Sequence, residues 1–189
     1  MSNMPEEFQD FVTHLTDNAR TSLQHADAIA RGYSSAYIGT EHLLLGVLAQ
    51  GSSVAAKVMA DAGITLDRAE VALNHTPRNL IVSTGSKGLS ETAKLTLKMS
   101  WDIAQEFHQD YLGTEHILYS ILSQKNARAT VLLRDMNVDM PVIISELEEF
   151  LDRQSGDYQQ SLEESSLKTA RKKRSGALEM YGTDLTAKA

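Results

Sequence analysis

Cysteine is absent from this chain of 189 residues, and aromatic residues make up only 6% of it. Without cysteine, disulfide bonds, cysteine-ligated zinc and thiol catalysis are excluded, and nothing indicates an oxidising compartment. The apolar residues are mostly Ala, Leu, Ile, Val and Met. Ala, Leu and Met form helices readily, whereas a β-sandwich draws on aromatic and β-branched residues. The composition therefore favours a helical fold, and the length suits one domain, or one domain with an appendage.

Long apolar runs and an excess of basic residues are also missing. No apolar run approaches the roughly 18 residues of a membrane-spanning helix, and the polar segment Met1–Asp10 does not fit a secretory signal. We therefore expect a cytoplasmic location and no membrane partner. The formal net charge is −7, and residues 1–151 carry 19 acidic against 11 basic side chains. Such an acidic body argues against a nucleic-acid-binding surface.

An internal repeat organises the chain. The segment Tyr37–Leu44 recurs as Tyr111–Leu118, an offset of 74 residues, and Gly-Thr-Glu-His is identical in both copies. The same offset aligns apolar positions on both sides of this motif, and no gap is needed between residues 15 and 140. The sequence therefore predicts two copies of one structural unit.

Each copy is predicted to contain four helices. Apolar residues recur at every third or fourth position from Leu15 to Ala30, which places them on one face of a helix. A hydroxyl side chain that can act as an N-cap precedes the first and second helices of both copies, at Thr16, Thr40, Ser90 and Thr114. The fold class is thus predicted to be all-α, with two tandem four-helix repeats packed against each other in pseudo-twofold fashion.

Turn residues mark the ends of helices and the domain boundaries. Gly63 and Asn137 are expected to end the third helix of each copy in the left-handed conformation, and Pro141 suits the first turn of the last helix. The predicted division is an N-terminal extension at 1–14, repeat 1 at 15–73, a connector at 74–88, repeat 2 at 89–151, and a polar linker at 152–189.

The doubled motif resembles a known family. The sequence Tyr-Ile/Leu-Gly-Thr-Glu-His-Ile/Leu-Leu, with a Thr/Ser-acid-x-Ala helix start before each copy, is similar to the Clp N-terminal domain at the front of ClpC, ClpA and ClpB type AAA+ unfoldases. The resemblance covers residues 15–151 and is closest to the ClpC type. It implies a domain that recognises protein substrates and adaptor proteins, with a Clp peptidase as partner of the full-length unfoldase.

The end of the chain bears on whether it is an enzyme. Residues 178–186 look like the segment that opens the first ATPase module of these unfoldases. The chain nevertheless has no G-x-x-x-x-G-K-[ST] phosphate-binding loop, and the segment Gly85–Gly88 does not fit that pattern. We therefore expect a binding module without a catalytic site or a cofactor, while ATP and Mg would belong to ATPase modules outside this chain. A stand-alone adaptor or regulator acting in trans is the alternative to a fragment of an unfoldase.

Two repeated glutamates are the candidate ligand-binding residues. Glu41 and Glu115 each lie in the first turn of a helix, where an acid complements the helix dipole. The free amides of a helix start also attract an anion, and a carboxylate attracts a guanidinium. The resemblance to ClpC-type domains implies that these glutamates bind the guanidinium of phosphoarginine, while the helix starts at Thr40 and Thr114 bind its phosphate. Both glutamates are expected to be exposed, and a pure dipole role is the alternative.

The neighbouring histidines raise the possibility of a metal site. Two Glu-His pairs, ending in His42 and His116, could supply four ligands to a small metal-dependent hydrolase. However, H-E-x-x-H and a third clustered ligand are both missing, so no metal is expected. We predict instead that each histidine faces inward and is satisfied by a backbone carbonyl.

Two further features have ordinary explanations. The basic run Arg171–Arg174 is expected to be a solvated part of the linker rather than a nucleic-acid or membrane site. The remaining candidates are apolar residues on helical segments, which are predicted to be mainly core, with an exposed groove that grips unfolded segments as the alternative. They are Met59, Met99, Met136, Met140 and Trp101.

Overall fold

The protein's structure, a computed structural model, describes residues 11–75, residues 88–157 and the positions 164, 166 and 167. Residues 1–151 form one unit and residues 152–189 another, and both copies of the repeated motif lie in the first. Most of the N-terminal extension, most of the connector and most of the polar linker lie outside the described residues. The basic run at 171–174 and the segment at 178–186 lie outside them as well.

Each repeat contains four helices. Repeat 1 consists of α1 (Asp17–Gly32), α2 (Thr40–Ala49), α3 (Val54–Asp61) and α4 (Leu66–His75). Repeat 2 consists of α5 (Glu91–Glu106), α6 (Thr114–Ser123), α7 (Arg128–Asp135) and α8 (140–157). Among the described residues there is no β-strand, and the prediction of an all-α fold is confirmed.

The first helix of each repeat begins at the residue type that the sequence predicts. The side chain of Thr16 accepts a hydrogen bond from the backbone N–H of Ala19 at 3.1 Å. Ser90 accepts from Ala93 at the same distance. Each bond satisfies one of the backbone donors that a helix start leaves unpaired. Both N-cap predictions are therefore confirmed.

The third helix of each repeat ends in a left-handed residue, as predicted. Gly63 has φ +77° and Asn137 has φ +57°, which lets the chain reverse direction after α3 and α7. Pro141 lies in the first turn of α8, where its missing N–H would have no helical partner in any case.

Two backbone bridges join the repeats symmetrically. Leu15 pairs with Leu112, and Ile38 pairs with Leu89. Adding the offset of 74 to residues 15 and 38 gives 89 and 112, so the second bridge is the pseudo-twofold equivalent of the first. The hydrogen bonds repeat as well, because the N–H of Thr16 donates to Leu112 and that of Ser90 donates to Ile38, each at 3.0 Å. The predicted pseudo-twofold packing is therefore confirmed.

The second helix of each repeat packs against the third helix of the other repeat. Helix α2 contacts α7, and the equivalent helix α6 contacts α3. All residues from Thr40 to Leu48 are buried, and the leucines and the valine among them belong to a core that extends through both repeats. Since neither repeat can cover its second helix alone, burial of this apolar surface favours the paired arrangement.

The helix pairs α1–α2 and α5–α6 are packed differently at one position. A Cβ placed on Gly46 of α2 would lie 2.9 Å from the backbone nitrogen of Ala26 and closer still to the carbonyl oxygen of Ser22, both in α1. The equivalent residue in repeat 2 is Ser120, whose hydroxyl donates to the carbonyl of Thr96 at 2.8 Å. The first two helices of repeat 1 therefore approach each other so closely that position 46 has room only for glycine.

The methionines and the tryptophan agree with a mainly core role. Met59 is fully buried, and Met136, Met140 and Trp101 are partly buried and pack against the core. Met99 is also partly buried. Within the described ranges, no single helix is long and apolar enough to cross a membrane. Helices α2 and α3 satisfy length and composition only as a pair, bent by 92°.

Candidate functional site

The repeated motif forms the start of α2 and of α6. The N-cap residues are Gly39 and Gly113, in extended conformations with φ −93° and −99°, and neither has a side chain to cap the helix. Thr40 and Thr114 are instead the first helical residues, so the prediction that they are N-caps is wrong by one position. Both threonines are buried.

The two histidines complete these helix starts. Nδ1 of His42 accepts a hydrogen bond from the N–H of Gly39 at 2.9 Å, and Nδ1 of His116 accepts from Gly113 at the same distance. Glutamate or glutamine usually fills this role in a capping box. The histidines do face inward, but the prediction that a backbone carbonyl satisfies them is wrong, because the backbone group is a donor.

This hydrogen bond fixes the protonation state of each ring. A nitrogen that accepts from a backbone N–H carries no proton, so the proton is on Nε2. Nε2 of His42 lies 3.3 Å from the hydroxyl of Ser35, and Nε2 of His116 contacts Oε1 of Gln109. Burial lowers the pKa of His116 to about 4, because the imidazolium would lose its hydration. The rings therefore act as neutral structural groups.

The glutamates fold back over their own helix starts. A Cβ placed on Gly39 would lie within 2.9 Å of three atoms of the Glu41 carboxyl group, and a Cβ on Gly113 would collide with Glu115 in the same way. Glycine at these two positions therefore leaves the space that the folded-back carboxyl group occupies, while its φ is one that any residue adopts. Both glutamates are only 6% exposed, so the prediction that they are exposed is wrong.

A cation from the other repeat contacts the first glutamate. Nη1 of Arg128, at the start of α7, lies 3.8 Å from Oε1 of Glu41. The arginine side chain is 57% exposed, whereas the glutamate side chain is 8% exposed. Oε2 of Glu41 is buried and has no hydrogen-bond partner among the described residues. A guanidinium from the surface thus already reaches one of the two carboxylates.

The second glutamate has a different environment. Burial raises the pKa of Glu115, and hydrogen bonds from its own backbone N–H and from Thr114 oppose the rise. Burial also raises the pKa of the Tyr111 phenol, and the negative charges of Glu115 and Asp110 add to that rise. The residue equivalent to Arg128 in repeat 1 is Val54, which brings no positive charge to this carboxylate.

The threonines connect the site to the interface between the repeats. The hydroxyl of Thr40 accepts a hydrogen bond from the backbone N–H of Ala129, the second residue of α7, at 3.2 Å. The start of α2 is therefore covered by the start of α7. Among the residues that the structure describes, no group of three or more His, Asp and Glu side chains could hold a metal ion.

The structure brings each predicted pair, Thr40 with Glu41 and Thr114 with Glu115, to one helix start, and ligand binding by these four residues stays a prediction. Arg128 and Gln109, which contact the motif, were not predicted from the sequence. A signal was available, because the 74-residue offset places Arg128 opposite Val54 and Gln109 opposite Ser35. Comparing equivalent positions next to the motif would therefore have pointed to the two residues that give the helix starts different surroundings.

Comparison with known proteins identifies the family. A family model described as the Clp repeat (R) N-terminal domain matches this chain twice, at residues 14–89 and 88–174. The ATP-binding subunit ClpC of the ATP-dependent Clp protease from Staphylococcus epidermidis is 30% identical over 130 residues, which are 67% of this chain but 15% of that protein. The present chain therefore spans a small part of the length of that relative.

Solved structures share the fold. The N-terminal domain of the chaperone ClpD from Arabidopsis thaliana matches with a TM-score of 0.63 and 18% identity, over 74% of this chain and 98% of that one. A ClpV N-domain solved in complex with a VipB peptide matches with a TM-score of 0.62 and 17% identity, over 80% of this chain and 95% of that one. The chain belongs to the family of Clp repeat N-terminal domains, as the resemblance of its doubled motif implies.

Proposed function

We propose that this chain is the substrate- and adaptor-recognition domain of a Clp-type unfoldase, and that its glutamate-bearing helix starts bind protein segments marked with phosphoarginine. Family membership supports the first part, since the relatives include an ATP-binding subunit of a Clp protease. The ClpV N-domain complexed with a peptide supports a peptide-binding use of the fold. The Clp peptidase is a partner of the complete unfoldase.

One observation carries the phosphoarginine proposal. The guanidinium of Arg128 lies beside the carboxylate of Glu41 at a helix start, which is the pairing that a ligand guanidinium would make. A helix start also provides backbone N–H groups and a positive dipole end for the attached phosphate. Guanidinium and phosphate lie side by side in phosphoarginine, so one short segment can satisfy both.

The burial of the glutamates limits how the ligand approaches. Since each carboxylate is nearly covered, the ligand guanidinium has to come along the route that Arg128 takes to Glu41, across the start of the third helix of the other repeat. For Glu115 that route passes Val54 at the start of α3, which contacts α6. The proposal therefore places the bound segment in the seam between the two repeats.

Titration calorimetry with a phosphoarginine peptide tests this function. The double variant Glu41→Gln, Glu115→Gln keeps side-chain size and loses both negative charges, and we expect it to bind at least about tenfold more weakly. The matched control is Glu106→Gln with Glu146→Gln, which removes two charges from exposed positions. The unphosphorylated peptide is the ligand control. Equal affinity of the wild type and the double variant would refute the proposed contacts.

A further inference from the structure

The two glutamate-bearing helix starts differ by one charged side chain. Arg128 begins α7 and reaches Glu41, while its pseudo-twofold equivalent, Val54, begins α3 beside the helix of Glu115. Within residues 11–75 and 88–157, no Lys or Arg nitrogen lies within 4.0 Å of the Glu115 carboxylate. The backbone symmetry of the repeats is therefore not matched by a symmetry of charge.

Arg128 is an exposed arginine that forms an ion pair with a buried carboxylate. Its partner carboxylate is nine-tenths buried, and Oε2 of that carboxylate has no hydrogen-bond partner among the described residues. A guanidinium offers five donors and pairs well with a carboxylate. A second guanidinium at Glu41 would have to compete with Arg128 for the same carboxylate.

We propose that Arg128 is an intramolecular guanidinium that occupies the helix start at Glu41, so that one ligand guanidinium binds per chain, at Glu115. This inference rests on the proposed function, because it concerns the same site. It makes Arg128 a specificity-determining residue, because one buried carboxylate is paired with an arginine of this chain and the other has no basic partner among the described residues. Both repeats still contribute to the seam, but they do not bind ligand equally.

The first test measures stoichiometry by calorimetry with the phosphoarginine peptide. The wild type should bind one peptide per chain, and Glu115→Gln should weaken this binding at least tenfold. Arg128→Val installs the residue that the chain has at the equivalent position 54, so it is a substitution that this type of helix start accepts. It should bind two peptides, and adding Glu41→Gln to it should restore a stoichiometry of one.

A control variant separates the loss of one positive charge anywhere in the chain from its loss at position 128. Arg31→Val removes one positive charge from an exposed arginine of α1 that pairs with Asp27, and it should keep a stoichiometry of one. Circular dichroism melting of Arg128→Val establishes that the variant is folded under the conditions of titration. If Arg128→Val binds more weakly than the wild type, Arg128 holds the ligand's phosphate instead, and the inference is overturned.

A ligand-free measurement distinguishes this inference from the proposed function. In the 15N-labelled protein, the Nε–H signal of Arg128 is assigned by its loss in Arg128→Val, and it should shift in Glu41→Gln but not in Glu106→Gln. No shift in Glu41→Gln overturns the contact. Absence of peptide binding to both the wild type and Arg128→Val refutes the proposed function and the blocking role together. Two peptides bound by the wild type overturn the inference alone and leave the proposed function standing.

Discussion

Replacing Gly46 by alanine tests the close approach of α1 and α2. Two effects oppose each other. Alanine is favoured over glycine inside a helix by up to about 1 kcal/mol, whereas excess volume in a packed core costs about 1–3 kcal/mol. The new methyl group would lie 3.0 Å from Cβ of Ala26, 2.9 Å from its backbone nitrogen and nearer still to the carbonyl of Ser22. Backbone atoms cannot rotate away, so the cost of overpacking should exceed the gain in propensity.

The magnitude follows from these distances. Carbon atoms prefer separations of about 3.5–4.0 Å from carbon and about 3.3 Å or more from oxygen. Since the carbonyl oxygen of Ser22 is the nearest atom, α1 and α2 would have to move apart by about one ångström along a buried contact. We expect the upper part of the overpacking range, and after the propensity gain a net loss of about 2 kcal/mol in the free energy of unfolding. For a chain of this size, that loss lowers Tm by about 4–8 °C.

Urea and thermal unfolding followed by circular dichroism measure the change. Gly32→Ala is the matched control, because this glycine is the last residue of α1 and a Cβ there has nothing within 4 Å. It should leave stability unchanged or raise it by up to about 1 kcal/mol. A Gly46→Ala protein as stable as Gly32→Ala would refute the reasoning, since it would mean that the two helices are not in contact at this point.

Two further substitutions test the helix starts. Burial lowers the pKa of His116 to about 4 from 6.5, so the unfolded chain binds the extra proton first as pH falls, and the free energy of unfolding should decrease by up to about 3 kcal/mol between pH 6.5 and 4. His116→Gln keeps an acceptor for the N–H of Gly113 and should remove this part of the pH dependence. The raised pKa of Glu115 changes the stability in the opposite direction as pH falls. The measurement is therefore the difference in free energy of unfolding between the wild type and His116→Gln at each pH. If this difference does not change with pH, the lowered pKa of His116 is contradicted. Ala127→Ser should raise the free energy of unfolding by about 1 kcal/mol, because Ser53 caps α3 at the equivalent position whereas Ala127 provides no side-chain cap for α7; equal urea midpoints for Ala127→Ser and the wild type would show that no cap forms.

Much of the fold could be predicted because the information is local and repeated. Threonine and serine caps, the left-handed Gly63 and Asn137, and Pro141 act through their own backbone neighbourhoods. The 74-residue offset supplied the long-range part, since two copies of an amphipathic unit have equivalent surfaces to bury against each other. The backbone bridges at residues 15 and 38 follow from that equivalence.

The environment of the glutamates could not be predicted in the same way. An acid in the first turn of a helix usually points to water, where it complements the dipole at little cost. Here the missing Cβ of Gly39 leaves room for the carboxyl group of Glu41 to fold back, and the docking of α7 from the other repeat then covers it. The covering residue, Arg128, is 87 positions away in the chain, so no local pattern connects the two.

The two repeats share their backbone arrangement but differ in side chains at some equivalent positions. The backbone bridges and the hydrogen bonds from Gly39 to His42 and from Gly113 to His116 are the same in both repeats. The differences lie at equivalent positions with unlike residues, such as Gly46 with Ser120 and Val54 with Arg128. The first pair changes how closely two helices pack, and the second changes the charge beside a buried carboxylate. Valine is already accepted at position 54, so exchanging Arg128 for valine separates the requirements of folding from those of ligand binding, whereas Gly46 cannot receive the serine of position 120 without moving α1 and α2 apart.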